Sequence, residues 1–69
     1  EDFLQAVKVY QEVITKTPEL AIGYYYLGRT CTVLDLYYTA VKDETQAAKY
    51  KKSAQEAFKS FVGLRKVIN

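Results

Sequence analysis

The sequence predicts an all-α protein built from three antiparallel helices. Apolar residues recur at steps of three and four along most of the chain, the spacing that places side chains on one helical face. The 69 residues include only three glycines and one proline, so the chain lacks the frequent turn residues that a set of short strands requires. We expect helices at approximately residues 2–16, 18–42 and 44–67.

The first predicted helix has a single apolar stripe and ends near Lys16. The helix stops there because Pro18 disfavours helical geometry in the residue before it. Thr17 is a suitable N-cap for the next helix, with Pro18 at its first helical position. The stripe consists of Phe3, Ala6, Val7, Tyr10, Val13 and Ile14.

The second predicted helix is apolar over much of its circumference, so we expect it to lie in the middle and to pack on more than one side. One stripe alternates steps of four and three without a break. It contains Leu20, Tyr24, Leu27, Cys31, Leu34, Tyr38 and Val41. A second stripe on another face contains Ile22, Tyr26, Val33, Leu36, Tyr37 and Ala40.

The third predicted helix begins after Asp43, which is a suitable N-cap with Gln46 three residues later. Its inner face is predicted to consist of Ala47, Tyr50, Ala54, Ala57, Phe58, Phe61, Leu64 and Ile68. Its outer face collects Lys49, Lys52, Glu56, Lys59 and Lys66. Residues 43–69 carry six Lys or Arg against three Asp or Glu, a net charge of +3.

The composition fits one small globular domain over residues 1–69, with 49% hydrophobic and 26% charged residues. The chain begins at Glu1 without a methionine, and we expect it to be part of a longer protein. A single cysteine cannot form an intramolecular disulfide, so no compartment is inferred. No apolar run approaches the roughly 18 residues of a membrane span, and we expect none.

The sequence around residues 24–31 resembles a tetratricopeptide repeat. Tyr24, Leu27 and Gly28 have the spacing of the aromatic and Leu-Gly positions in that repeat. Other matches are Ala6, Tyr10 and Pro18, as the second helix and closing proline of a preceding repeat, and Ala54 and Phe58, as the next second helix. Ala6 and Ala54 are 48 residues apart, however, against a period of about 34. The second helix, the third or both must therefore be elongated.

The resemblance implies binding of a peptide or partner protein on the surface that the first helices of the repeats form. Carried onto the second helix here, the candidate partner-binding residues are Ile22, Tyr25, Tyr26, Arg29, Thr32 and Val33. Tyr24, Leu27, Gly28 and Cys31 would face the core instead. Tyr25 and Arg29 combine contact area with a directed polar group, as interface residues often do. The alternative is that both simply pack against the preceding helix, formed by the first 16 residues, or against a neighbour that is missing from the chain.

We expect no catalytic, cofactor-binding or metal-binding residues. The chain has no histidine, its only cysteine lies on an apolar stripe, and Gly23, Gly28 and Gly63 are isolated rather than forming a phosphate loop. The lysines of the third helix are expected to form a hydrated outer surface, and nucleic-acid binding is not expected. The expected function is a non-catalytic protein-interaction or assembly module. The alternative is a helical bundle that self-associates through its apolar faces without a separate ligand.

Overall fold

The protein is an all-α structure of three helices, as the spacing of its apolar residues predicts. The computed structural model describes the backbone of residues 2–68 and the side chains of residues 2–65. Helix α1 spans Phe3–Lys16, α2 spans Ala21–Ala40 and α3 spans Glu44–Ile68. The side chains of Lys66 and Ile68, assigned above to the outer and inner faces of the third helix, lie outside this range. Within the described part of the chain, no helix is both long and apolar enough to cross a membrane.

Helix α1 is capped at both ends. The backbone N–H of Gln5 donates to Asp2 Oδ1 at 3.0 Å, which satisfies one of the N–H groups that a helix leaves free at its start. At the other end the N–H of Thr17 donates to the carbonyl oxygen of Val13 at 2.8 Å. Helix α1 ends at Lys16, which is where the prediction based on Pro18 placed its end.

The prediction that the second helix starts at residue 18 is wrong. Thr17 closes α1 instead of capping α2, and α2 begins at Ala21 after Leu20. The N–H of Leu20 donates to the carbonyl oxygen of Thr17 at 3.0 Å, which makes residues 17–20 a tight turn. Pro18 occupies the second position of that turn, where its fixed φ is as favourable as it is at the start of a helix. The chain needs the turn because α1 and α2 are antiparallel.

The connection between α2 and α3 is a three-residue turn. Lys42 has a φ of 64°, in the left-handed region, so α2 ends at Ala40 rather than at the predicted residue 42. The N–H of Asp43 donates to the carbonyl oxygen of Tyr38 at 2.9 Å, and the N–H of Lys42 donates to that of Thr39 at 3.1 Å. This pair of bonds is the Schellman motif. Asp43 then caps α3 as predicted, because its Oδ1 accepts the N–H of Gln46 at 3.2 Å.

Helix α2 lies in the middle, as its two apolar stripes predict. Helices α1 and α3 both pack against α2, and among the described residues no Cα of α1 lies within 8 Å of a Cα of α3. Cys31 is the centre of the core, at 1% exposure. Around it lie buried residues from all three helices, namely Val7, Leu34, Tyr50 and Ala54.

Helices α2 and α3 are 20 and 25 residues long. Together they exceed the whole period of about 34 residues of the repeat that the sequence resembles. The extra residues therefore prolong the two helices and do not form an inserted loop. The result is an elongated hairpin, with α1 packed along one side of it.

Candidate functional site

Helix α2 carries a row of exposed apolar side chains. Leu36 and Tyr37 are 64% and 57% exposed, and three further members of the row are between 41% and 43% exposed. We call this surface the outer face of α2. It consists of Ile22, Tyr26, Arg29, Val33, Leu36 and Tyr37.

The outer face is exposed because α2 has more apolar surface than its two neighbours cover. Cys31 and Leu34 are buried on the side of α2 that meets both helices. Gly23 packs against Val13 and Ile14 of α1, and an added Cβ there would lie 3.4 Å from Ile14. Among the described residues, the side of α2 that bears the second apolar stripe is only bordered by α1, through Tyr10 beside Tyr26 and through Phe3 and Leu4, and most of that stripe stays exposed.

Five of the six candidate residues are exposed, and the sixth, Tyr25, is half-buried. Ile22, Tyr26, Arg29 and Val33 lie together on the outer face and are exposed. Thr32 is also exposed, and its hydroxyl donates to the carbonyl oxygen of Gly28 at 2.9 Å within the helix.

Tyr25 does not lie on the outer face. It is half-buried at the seam between α2 and α3, with its ring centroid 5.2 Å from that of Phe61 and 6.2 Å from that of Phe58. Tyr25 therefore packs against a neighbouring helix, but that helix is α3 and not the preceding helix that the sequence-based alternative named.

Tyr26 joins the outer face to the packing of α1. Its ring stacks on that of Tyr10 at 5.8 Å and 21° between planes, and lies 5.7 Å from the ring of Tyr25 in an edge-on arrangement. With Phe61 these rings form a continuous aromatic row across the three helices. Tyr26 is thus held in place although 43% of it is exposed.

Arg29 is the charged residue of the outer face. Its guanidinium carbon lies 5.8 Å from the centre of the Tyr25 ring, within the range of a cation–π interaction. This contact directs the positive charge toward Tyr25, at the edge of the outer face that borders α3.

Sequence reasoning placed Leu36 and Tyr37 on the second apolar stripe but left them out of the candidate set. They are the most exposed members of the outer face. The apolar spacing of the sequence does indicate them, because the stripe that contains Ile22, Tyr26 and Val33 continues through Leu36 and Tyr37. A shallow groove of about 470 Å³ adjoins this end of the face, where Phe3 and Leu4 of α1 meet Val33 and Tyr37.

A second groove, of about 690 Å³, runs between α1 and α3 with α2 as its floor. Its floor contains Tyr24, Leu27 and Cys31, the residues predicted to face the core. Its sides are mixed, with Lys8 and Gln11 on α1 and Lys49 and Glu56 on α3 beside apolar residues such as Leu4. Cys31 and Tyr50 beneath it are buried, but Tyr24 and Leu27 are only half-buried and Leu4 is exposed, so this groove also presents apolar surface to solvent.

The single thiol of the chain and the lysines of α3 lie away from the outer face. Burial raises the pKa of the Cys31 thiol above its ordinary value, which disfavours the reactive thiolate. Lys49, Lys52 and Lys59 on the outer face of α3 are exposed, and the ammonium of Lys49 lies 5.2 Å from the centre of the Tyr50 ring. Over the part of the chain that the structure describes, no cluster of three or more Cys, Asp or Glu residues is arranged to hold a metal ion.

Comparison of the chain with family models, with curated proteins and with solved structures gives no match. The resemblance to tetratricopeptide repeats therefore stays a prediction that depends on the residues quoted above.

Proposed function

We propose that this chain is a non-catalytic module that binds a peptide or partner protein through the outer face of α2. The observation that carries the proposal is the row of exposed apolar side chains from Ile22 to Tyr37, which α1 borders along one edge and leaves largely open to solvent. Contiguous apolar surface of this kind is uncommon in monomeric proteins unless it binds something.

The rigidity of the face also supports binding. Tyr26 is stacked on Tyr10, and the guanidinium of Arg29 lies over the ring of Tyr25, so each side chain has an intramolecular contact that favours one rotamer. Ordering a side chain on association costs about 0.5–1.5 kcal/mol. A face that is ordered in advance avoids much of that cost.

A non-catalytic role is supported by the state of Cys31, the residue with the most nucleophilic side chain in the chain. It is 1% exposed, and its raised pKa keeps the thiol protonated at neutral pH. A catalytic cysteine needs access to its substrate and a lowered pKa.

The experiment is a selection of peptides from a displayed random library on the folded protein, followed by affinity measurements on two variants. Val33→Asp places a carboxylate in the outer face, and we expect the selected peptides to bind it at least about tenfold more weakly, because the charge would lose water among apolar groups. Val62→Asp is the matched control, since Val62 is an exposed valine of α3 at 49% exposure. Peptides that bind both variants as well as they bind the wild type would refute the proposal.

Self-association is the second candidate function. It is favoured by the exposed apolar residues that flank the outer face, Phe3 and Leu4 on α1 and Val41 after α2. Sedimentation equilibrium over a concentration series tests it. A dimer that Val33→Asp dissociates and Val62→Asp does not would place self-association ahead of peptide binding. A monomer at all concentrations would exclude it.

A further inference from the structure

We infer that the occupant of the outer face is an amphipathic helix that carries one carboxylate among its apolar side chains. The inference depends on the proposed function and names the class of partner. Three features support it: the position of Arg29, the scarcity of hydrogen-bonding groups on the face, and the symmetry that a second copy would require.

Arg29 lies near the middle of the face, between Tyr26 and Val33 along the helix. Any occupant that covers both ends of the face also covers Arg29, and it takes water from the guanidinium, which lies 5.8 Å from the centre of the Tyr25 ring at the edge of the face. A guanidinium removed from water without a partner is strongly unfavourable. A carboxylate is its best partner, because the two groups pair through charge-assisted hydrogen bonds. An entirely apolar occupant would leave the charge uncompensated.

The rest of the face can accept or donate few hydrogen bonds. Ile22, Val33 and Leu36 have no polar side-chain atoms, and the hydroxyls of Tyr26 and Tyr37 are the other polar groups of the face. An extended peptide lying on it would leave much of its own backbone unpaired. A helix satisfies its backbone internally. The face runs from Ile22 to Tyr37, about 22 Å along α2, which matches a partner helix of about 15 residues.

A second copy of the chain fits the face poorly. Two identical chains that pair through one face are related by a two-fold axis. The midpoint between Ile22 and Tyr37 falls next to Arg29, so full overlap of two outer faces would bring Arg29 against Arg29 of the other copy. Two like charges brought together as the interface excludes water oppose this pairing.

The test uses three synthetic helical peptides of about 15 residues that differ at one position. All three carry leucines along one face, and the central position of that face is Glu, Gln or Lys. Binding is measured by titration calorimetry on the wild type and on Arg29→Glu, with circular dichroism to establish that the variant folds. We expect the wild type to bind the Glu peptide at least about tenfold more tightly than the Gln peptide, and the Lys peptide least. We expect Arg29→Glu to reverse the order of the Glu and Lys peptides.

Arg65→Glu is the matched control. The guanidinium of Arg65 also lies over an aromatic ring, that of Phe61 at 5.6 Å, but it belongs to α3 and not to the outer face. We expect this variant to keep the wild-type order of the peptides. A reversed order in Arg65→Glu would indicate a general charge effect and would overturn the inference.

The outcomes separate the inference from the proposed function. Equal binding of the Glu and Gln peptides by the wild type overturns the inference and leaves the outer face as a binding surface. If no peptide of this set binds while library-selected peptides still lose affinity for Val33→Asp, the inference fails and the proposed function stands. If neither set binds at the outer face, both fail. A wild-type dimer that Val33→Asp dissociates would replace the peptide helix by a second copy.

Discussion

The ring of Phe58 occupies the space beside the Cα of Gly28. A Cβ built on Gly28 would lie 2.8 Å from Cε1 and Cζ of that ring, closer than such atoms pack in proteins. The ring has neighbours of its own, since its centroid lies 6.2 Å from that of Tyr25. Helices α2 and α3 therefore approach at a point where only a hydrogen atom fits.

Gly28→Ala is expected to destabilise the protein by about 1–3 kcal/mol, because the added methyl group must displace the Phe58 ring. Gly63→Ala is the control, because Gly63 is helical and a Cβ there meets nothing within 4 Å. That change should stabilise by up to about 1 kcal/mol through helix propensity alone. Urea unfolding curves measure both. If the two variants were stabilised equally, the Phe58 ring would be free to move and the close approach would carry no constraint.

Lys42→Gly is expected to stabilise the protein by about 0.5–1 kcal/mol. Lys42 has a φ of 64°, which glycine adopts at no steric cost, whereas a side chain makes it unfavourable. Thermal melts followed by circular dichroism would register the gain. The same change at Lys51, in the helical interior of α3, should cost about 1 kcal/mol. A loss of stability in Lys42→Gly would mean that its side chain makes a compensating contact.

Tyr25→Ala should cost about 1–3 kcal/mol of folding free energy, because the tyrosine ring fills space against Phe58 and Phe61. Arg29→Ala should change stability by less than about 0.5 kcal/mol, since Arg29 is exposed and its guanidinium contributes mainly through the ring of Tyr25. Chemical denaturation of the two single variants distinguishes them. Should Tyr25→Ala keep the full stability of the wild type, Tyr25 would return to the set of recognition residues.

The stability of the protein should fall with rising pH through Cys31. Burial raises the pKa of this thiol in the folded state, so above about pH 8.5 the unfolded chain binds fewer protons than the folded one. The contribution is fully present at neutral pH and is lost as the pH rises through the folded-state pKa. We expect wild type to lose stability more steeply than Cys31→Ala between pH 8 and 10, because the tyrosines and lysines are common to both. Parallel pH profiles would contradict the assignment.

The positions of the helices follow from local rules, and most of them could be read from the sequence. The apolar spacing identifies all three helices, and Asp43 marks the start of α3 through the preference of aspartate for that position. Thr17 and Pro18 misled the prediction because both suit the start of a helix as well as a turn. Local residue preference does not distinguish a helix start from a turn at these residues. The turn forms because the chain must reverse direction between the antiparallel helices α1 and α2.

The site was less predictable from the sequence, because the burial of a residue at the edge of an apolar stripe depends on side chains that are far away in the sequence. Tyr25 lies one position before Tyr26, yet it is half-buried because Phe58 and Phe61 of α3 meet it. Those residues are more than 30 positions away in the sequence. Leu36 and Tyr37, in contrast, continue a stripe that is visible in the sequence, and both stay exposed although Phe3 and Leu4 of α1 lie beside Tyr37.

The distance between the backbones of α1 and α3 affects how often α1 opens from the rest of the protein. Among the described residues the backbone of α1 approaches α2 and not α3, so α1 can leave while α2 and α3 stay packed together, and we expect its amide protons to exchange with solvent before those of the hairpin. Val7 of α1 belongs to the cluster that covers Cys31. The rate at which a thiol reagent reaches Cys31 would then time how often the first helix lifts away.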